Sequence, residues 1–128
     1  MPLDMHRVDM DSYVVAGASD HITPWEGCYN TARLYGKRST FVLANSGHIQ
    51  SLINPPGNPK AMFWTGTTNT ERAEAWLDGA EKQAGSWWPH WLAWINARSG
   101  ETLGPPASLG SKTHQPLDSA PGRYVMET

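Results

Sequence analysis

Two apolar runs, Tyr13-Val14-Val15-Ala16-Gly17 and Ser39-Thr40-Phe41-Val42-Leu43-Ala44, constrain this chain more than anything else in it. Both are rich in β-branched residues and apolar on both faces, which suits strands buried on two sides in a parallel sheet. The segment between them decides their direction, because parallel neighbours need a crossover long enough to hold a helix. Thr23-Pro24-Trp25-Glu26 reads as the start of one. An N-cap Thr, a Pro at the first helical position and a Glu three residues past the cap make a capping box. Gly36, after Leu34-Tyr35, fits a left-handed stop. A right-handed crossover then sets the strands parallel and opens both following loops on one edge of the sheet.

Those loops carry the candidate chemistry. Asp20 follows the first run by three residues, and His48 follows the second by four, through Asn45-Ser46-Gly47. Neighbouring strands lie about 4.8 Å apart, so Asp20 is expected to reach His48 where open α/β sheets place their ligands. An acid and then an imidazole at the ends of successive strands match the second half of an α/β-hydrolase triad. The carboxylate would hold one tautomer of the imidazole and leave its other nitrogen free to deprotonate a nucleophile. Loop and cap chemistry accounts for the same two residues without catalysis, and spacing alone leaves both readings open.

No side chain in the chain is a credible nucleophile. Cys28, the single cysteine, lies in Glu26-Gly27-Cys28-Tyr29-Asn30, inside the predicted helix and a turn too late for a strand-to-helix elbow. It is expected to pack as a small hydrophobe. Ser19 follows the first strand directly, but His21 stands where the elbow wants a small residue; Ser46 has no Gly two residues before it and reads as a loop former. His90 and His114 lack a His or Cys partner at metal-ligand spacing, so no metal is expected. No glycine-rich phosphate cradle appears.

A net charge of -2 supplies no basic surface for nucleic acid. One cysteine excludes an internal disulfide framework and fits a reducing cytoplasm. Met1 to Asp11 lacks the apolar stretch of a signal peptide, and no later window has the apolar length to span a membrane.

Downstream of His48, Ile49 to Lys60 reads as a Pro/Asn/Gly loop at the rim of a pocket. Thr68 and Glu71 form a second capping box, and Ala73, Trp76, Leu77 and Ala80 keep helical spacing towards a stop near Gly85. A further helix is predicted from Ser86, with Pro89 in its first turn and Trp88, Trp91, Leu92 and Ile95 on one face. Trp87 and Trp94 widen its apolar surface, so it is buried against the sheet or meets another apolar surface such as a polymer. From Gly100, repeated Pro and Gly break every pattern. The expected division is therefore residues 1–100 as sheet and helices and 101–128 as a Pro/Gly-rich tail. With only two parallel strands, such a chain is expected to be marginal unless further strands complete the sheet.

Four motifs in order resemble the C-terminal part of polyhydroxyalkanoate synthases: Asp20-His21-Ile22-Thr23-Pro24-Trp25, Phe41 to Ile49, Asn54-Pro55-Pro56-Gly57-Asn58-Pro59-Lys60, and Gly85-Ser86-Trp87-Trp88-Pro89 with Trp91-Leu92. Gln50-Ser51 and the Pro-Pro-Gly-Asn-Pro run lean towards the medium-chain-length type. The resemblance implies the end of an α/β-hydrolase fold: its last two parallel strands with their crossover helix, then C-terminal helices. It implies an acyltransferase that polymerises (R)-3-hydroxyacyl-CoA into polyester and releases CoA, with the thioester as substrate and no cofactor. Asp20 and His48 match the family's catalytic Asp and His. The family's Cys, in a G-x-C-x-G elbow, has no counterpart, so the chain alone is expected to be inactive and to need the rest of the synthase domain. The implied setting is cytoplasmic, at a polyester granule surface; a homodimer stays open. Two other readings remain, an accessory module that binds granule or synthase and a piece of an esterase or depolymerase of the same fold.

Overall fold

The computed structural model describes residues 4–127. Strands β1 (Ser12–Gly17) and β2 (Ser39–Ala44) form where the apolar runs predict them, and pair in parallel from Ser12 opposite Ser39 to Gly17 opposite Ala44. Helix α1 (Trp25–Leu34) makes the crossover, and Gly36 takes the left-handed conformation with φ of 77°. The capping box at its start does not form. Pro24 occupies the N-cap without a side-chain bond, and the Thr23 N–H turns back to Asp20 instead.

The sheet has four strands rather than the two expected. β3 (Met62–Gly66) runs antiparallel to β2, and β4 (Glu81–Ala84) antiparallel to β3, giving the order β1-β2-β3-β4. Between them lies α2 (Ala73–Gly79), shorter than the helix predicted to run towards Gly85. Thr68 is not its cap. Arg72 holds that position, while the Thr70 hydroxyl bonds Tyr29 and the Arg72 carbonyl. Glu81-Lys82-Gln83-Ala84 has helical propensity, but pairing with β3 overrides it and leaves an exposed, charged edge strand.

Alternation along the strands distributes side chains to two faces. Ala16, Phe41 and Leu43, with Val14 and Trp64, meet Tyr29 and Ala32 of α1 and Ala73 and Trp76 of α2. Phe41 stands edge-to-face to Tyr29 at 5.4 Å and to Trp76 at 4.8 Å between ring centroids. The buried Tyr29 hydroxyl is satisfied by donating to the Thr70 carbonyl at 2.8 Å. On the opposite face, Val42, Ala44 and Phe63, with Tyr13 and Val15, pack against Trp87 and Trp88.

Helix α3 (Trp88–Asn96) covers that second face, with Pro89 in its first turn as expected. The face it turns inward differs from the expected one. Tyr13 hydrogen-bonds His90 at 2.7 Å and packs its ring against Trp94, so the inward row is Trp87, His90 and Trp94. Trp91 and Leu92 stay 40% and 52% exposed. A histidine can sit inward here because the Tyr13 phenol gives its ring nitrogen a partner. Residues 101–127 contain one short 3-10 turn, Tyr124–Met126, and Leu103, Leu109 and Leu117 remain exposed. No described helix is long and apolar enough to cross a membrane.

Phe41 is fully buried at the centre of the aromatic cluster. Phe41→Ala is expected to lower unfolding free energy by about 3–5 kcal/mol, read by urea denaturation.

Candidate active site

The parallel ladder does not stop where the strands end. Past Gly17 and Ala44, the Ala18 N–H donates to the Ala44 carbonyl at 2.7 Å, and the Ser19 N–H to the Ser46 carbonyl at 3.2 Å. The two loops are thus tied to each other before either functional side chain is reached. Their approach requires Gly17. A Cβ there would collide with the Ser51 hydroxyl and lie 2.6 Å from the Ser46 carbonyl oxygen.

Asp20 and His48 come together at this edge. The Asp20 Oδ2 accepts from His48 Nδ1 at 2.8 Å, and Oδ1 accepts from the backbone N–H groups of Ile22 and Thr23, both at 2.9 Å. A carboxylate can only accept, so Nδ1 carries the proton and Nε2 presents its lone pair. Nε2 has no hydrogen-bond partner among the described residues. The Asp20 side chain is 8% exposed and that of His48 45% exposed, so a sheltered carboxylate orients an accessible imidazole. The Thr23 N–H above all, with the His48 and Ile22 contacts, holds the Asp20 carboxyl below its usual range despite the opposing effect of burial.

His48 opens a single helical turn in which the Ser51 N–H bonds the Gly47 carbonyl at 2.9 Å and the Ile53 N–H the Ile49 carbonyl at 3.0 Å. The buried Ser51 hydroxyl sits 2.9 Å from the Ser46 carbonyl and 2.7 Å from that of Gly47, closing the turn onto the strand end. Asp20 and His48 border a cavity of about 160 Å³, shared with Thr23, Cys28 and Leu52. A more polar recess of about 520 Å³, lined by Ser19, Gly47, Gln50 and Lys60 among others, adjoins the same loops.

The sequence placed Asp20 and His48 at one sheet edge, and the structure brings them into contact. Cys28 lies on α1, half-buried against the first core cluster. Burial first, and then the charge of Asp20, pushes its thiol up, away from the thiolate that an activated nucleophile needs. Ser19 lies in the Asp20 loop and Ser46 serves as a carbonyl anchor; neither stands on a strand-to-helix elbow. Sequence reasoning missed the two N–H donors on Asp20 and the role of Ser51. An Asp three residues before Thr-Pro was the available signal for the first, as a side-chain turn; nothing local signals the second.

No family model matches the sequence. Among curated proteins, the chain is 53% identical over 125 residues to poly(3-hydroxyalkanoate) polymerase 2 of Ectopseudomonas oleovorans, covering 98% of the chain and 22% of that protein. It is 48% identical over 126 residues to poly(3-hydroxyalkanoate) polymerase 1 of the same organism, again 98% and 22%. To the poly(3-hydroxyalkanoate) polymerase subunit PhaC of Cupriavidus necator it is 38% identical over 125 residues, 98% of the chain and 21% of the relative. The chain therefore spans about a fifth of the length of the relatives it matches, and the resemblance read from the four motifs is borne out.

The depressed Asp20 pKa fixes the sign of one pH effect. A carboxyl more acidic in the folded state stabilises the fold above its unfolded pKa of about 3.9 and loses that contribution as pH falls through the folded value. The difference in melting temperature between the native chain and Asp20→Asn is therefore expected to shrink on acidification below about pH 4.

Proposed function

We infer that this chain, akin to poly(3-hydroxyalkanoate) polymerases along 98% of its length, is the C-terminal portion of such an enzyme, of α/β-hydrolase fold, and supplies the acid and imidazole of its active centre. The observation that carries this reading is the bond from His48 Nδ1 to a carboxylate whose other oxygen is held by two backbone N–H groups. Such a pair sets the tautomer, stabilises the imidazolium and leaves Nε2 as a base. In the complete enzyme, Nε2 takes the proton of a cysteine thiol supplied from outside this chain, and the thiolate attacks the carbonyl of a (R)-3-hydroxyacyl-CoA. The carbon–sulfur bond to CoA breaks, and CoA leaves with the proton from the imidazolium. The 3-hydroxyl of a unit then attacks the acyl-cysteine as its proton passes to the freed base; the ester bond forms, the carbon–sulfur bond to the cysteine breaks, and the departing cysteine thiolate takes that proton back from the imidazolium. Asp20 orients His48 throughout and helps activate that hydroxyl.

On this reading the chain alone is inactive, the thioester is substrate, and no cofactor takes part. The working place is the cytoplasm, at the surface of the polyester granule. The Gln50-Ser51 and Pro-Pro-Gly-Asn-Pro features, with the likeness to the two Ectopseudomonas polymerases, favour medium-chain acyl groups.

A second reading adds polymer contact, because an open apolar groove of about 430 Å³ runs along α3, lined by Pro56, Trp87, Trp88, Pro89, Trp91 and Leu92. Aliphatic polyester suits such a surface, and Trp91 and Leu92 are large apolar members of it that stand exposed.

Changing His48 to Ala, or Asp20 to Ala, in the complete polymerase is expected to cut CoA release by roughly 10³- to 10⁴-fold. Near-normal turnover by either variant refutes the assignment. Trp91→Ser with Leu92→Ser is expected to weaken co-sedimentation with polyester granules while leaving turnover of a soluble thioester unchanged.

A further inference from the structure

We propose that Ser86, Trp87 and Trp88 are positioning residues that clamp the turn carrying His48, a role that rests on the catalytic reading of His48 above. The turn that begins at His48 ends in carbonyls that its own short helical bonding leaves unpaired, the usual condition of a helical C-terminus. Three consecutive residues at the entry to α3 cap them. The Trp87 indole N–H donates to the Ser51 carbonyl at 2.7 Å, and the Trp88 indole N–H to the Leu52 carbonyl at 3.0 Å. The Ser86 hydroxyl donates to the Asn54 carbonyl and accepts the Trp88 N–H at 3.1 Å.

Packing alone does not require this arrangement, since one carbonyl would satisfy one buried indole. Here two neighbouring indoles and a hydroxyl address one short segment, Ser51 to Asn54, more than thirty residues away in sequence. Each anchor is itself held. The Trp87 ring is buried against Val42 and Ala44 of β2, the strand that leads to His48, and against Phe63 of β3. Ser86 is buried, and Gly85 before it, with φ of 95°, donates its N–H to the Ala61 carbonyl at 2.8 Å. The turn is thus pinned at both ends, by Ser51 to the end of β2 and by the Ser-Trp-Trp triplet to the far face of the sheet. His48 is 45% exposed and has one side-chain hydrogen bond, so its place depends on the backbone beneath it. A displacement of about 1 Å at such a base can cost as much as about a hundredfold in rate.

The test uses the complete polymerase with Trp88→Phe, Trp87→Phe and Ser86→Ala, each of which removes a donor and keeps most of the packing. Hydrogen–deuterium exchange by mass spectrometry reads the clamp without reference to activity. Amides of residues 46–54 are expected to exchange at least about tenfold faster, while those of β2, residues 39–44, keep the native rate. CoA release is expected to show kcat lowered about tenfold or more with KM within about twofold, the mark of a misplaced catalytic group rather than lost substrate binding. Unchanged exchange at 46–54 overturns the clamp, as does acceleration that spreads equally through β2. Faster exchange with native kcat overturns the positioning role. Turnover by His48→Ala overturns the catalytic reading on its own, and the exchange result still decides the clamp.

Discussion

The parallel pairing of β1 with β2, carried beyond the strands into their loops, is the constraint on which the site depends. A parallel ladder delivers the C-terminal ends of both strands to one edge, and here the backbone bonds from Ala18 and Ser19 continue it to the residue before Asp20. The side chains then need little reach. Asp20 sits in a turn closed by its own N–H onto the Gly17 carbonyl and spends one carboxylate oxygen on the chain that follows, which leaves the other aimed at His48. The absence of a Cβ on Gly17 is as much a part of the site as either functional group, because the Ser51 and Ser46 atoms occupy that space.

The sheet keeps this edge rigid by burying both faces with aromatic residues. Tyr29, Phe41 and Trp76 make one interlocked cluster, and Tyr13, Trp87 and Trp94 make another around the opposite face. Aromatic rings bury a large area for few rotatable bonds, which suits a chain of 128 residues with a modest core. The indole and phenol donors extend their use. Tyr29 ties α1 to the segment before α2, and Tyr13 ties β1 to α3 through His90. The number of tryptophans, seven, reflects several tasks: core filling, loop anchoring and an exposed groove along α3.

The parts of the fold that were legible in the sequence are those set by local pattern. β2 begins and ends where its apolar run does, β1 differs by one residue, and α1 and α3 fall within their predicted stretches. The failures have specific causes. Thr23 and Thr68 match capping-box patterns, but their loops are already committed: the Asp20 carboxylate takes the Thr23 N–H, and the Tyr29–Thr70 contact fixes the entry to α2 at Arg72. The strand Glu81–Ala84 carries no strand signal, because its reason for being extended is the free edge of β3 beside it. The inward face of α3 was misread because His90 counts as polar until the Tyr13 phenol is placed opposite it.

By itself the sequence determined that two buried strands would run parallel across a helix, and that an acid and an imidazole would follow them. Apolar runs, Gly36 and the crossover length are short-range facts, and the hand of the connection does the rest. Only the tertiary structure decided that the two groups touch, that Nδ1 rather than Nε2 meets the carboxylate, and that two indoles from beyond β4 hold the His48 turn. These depend on tenths of an ångström between segments distant in the chain, and hydrogen bonds form or fail on that scale whatever the local pattern.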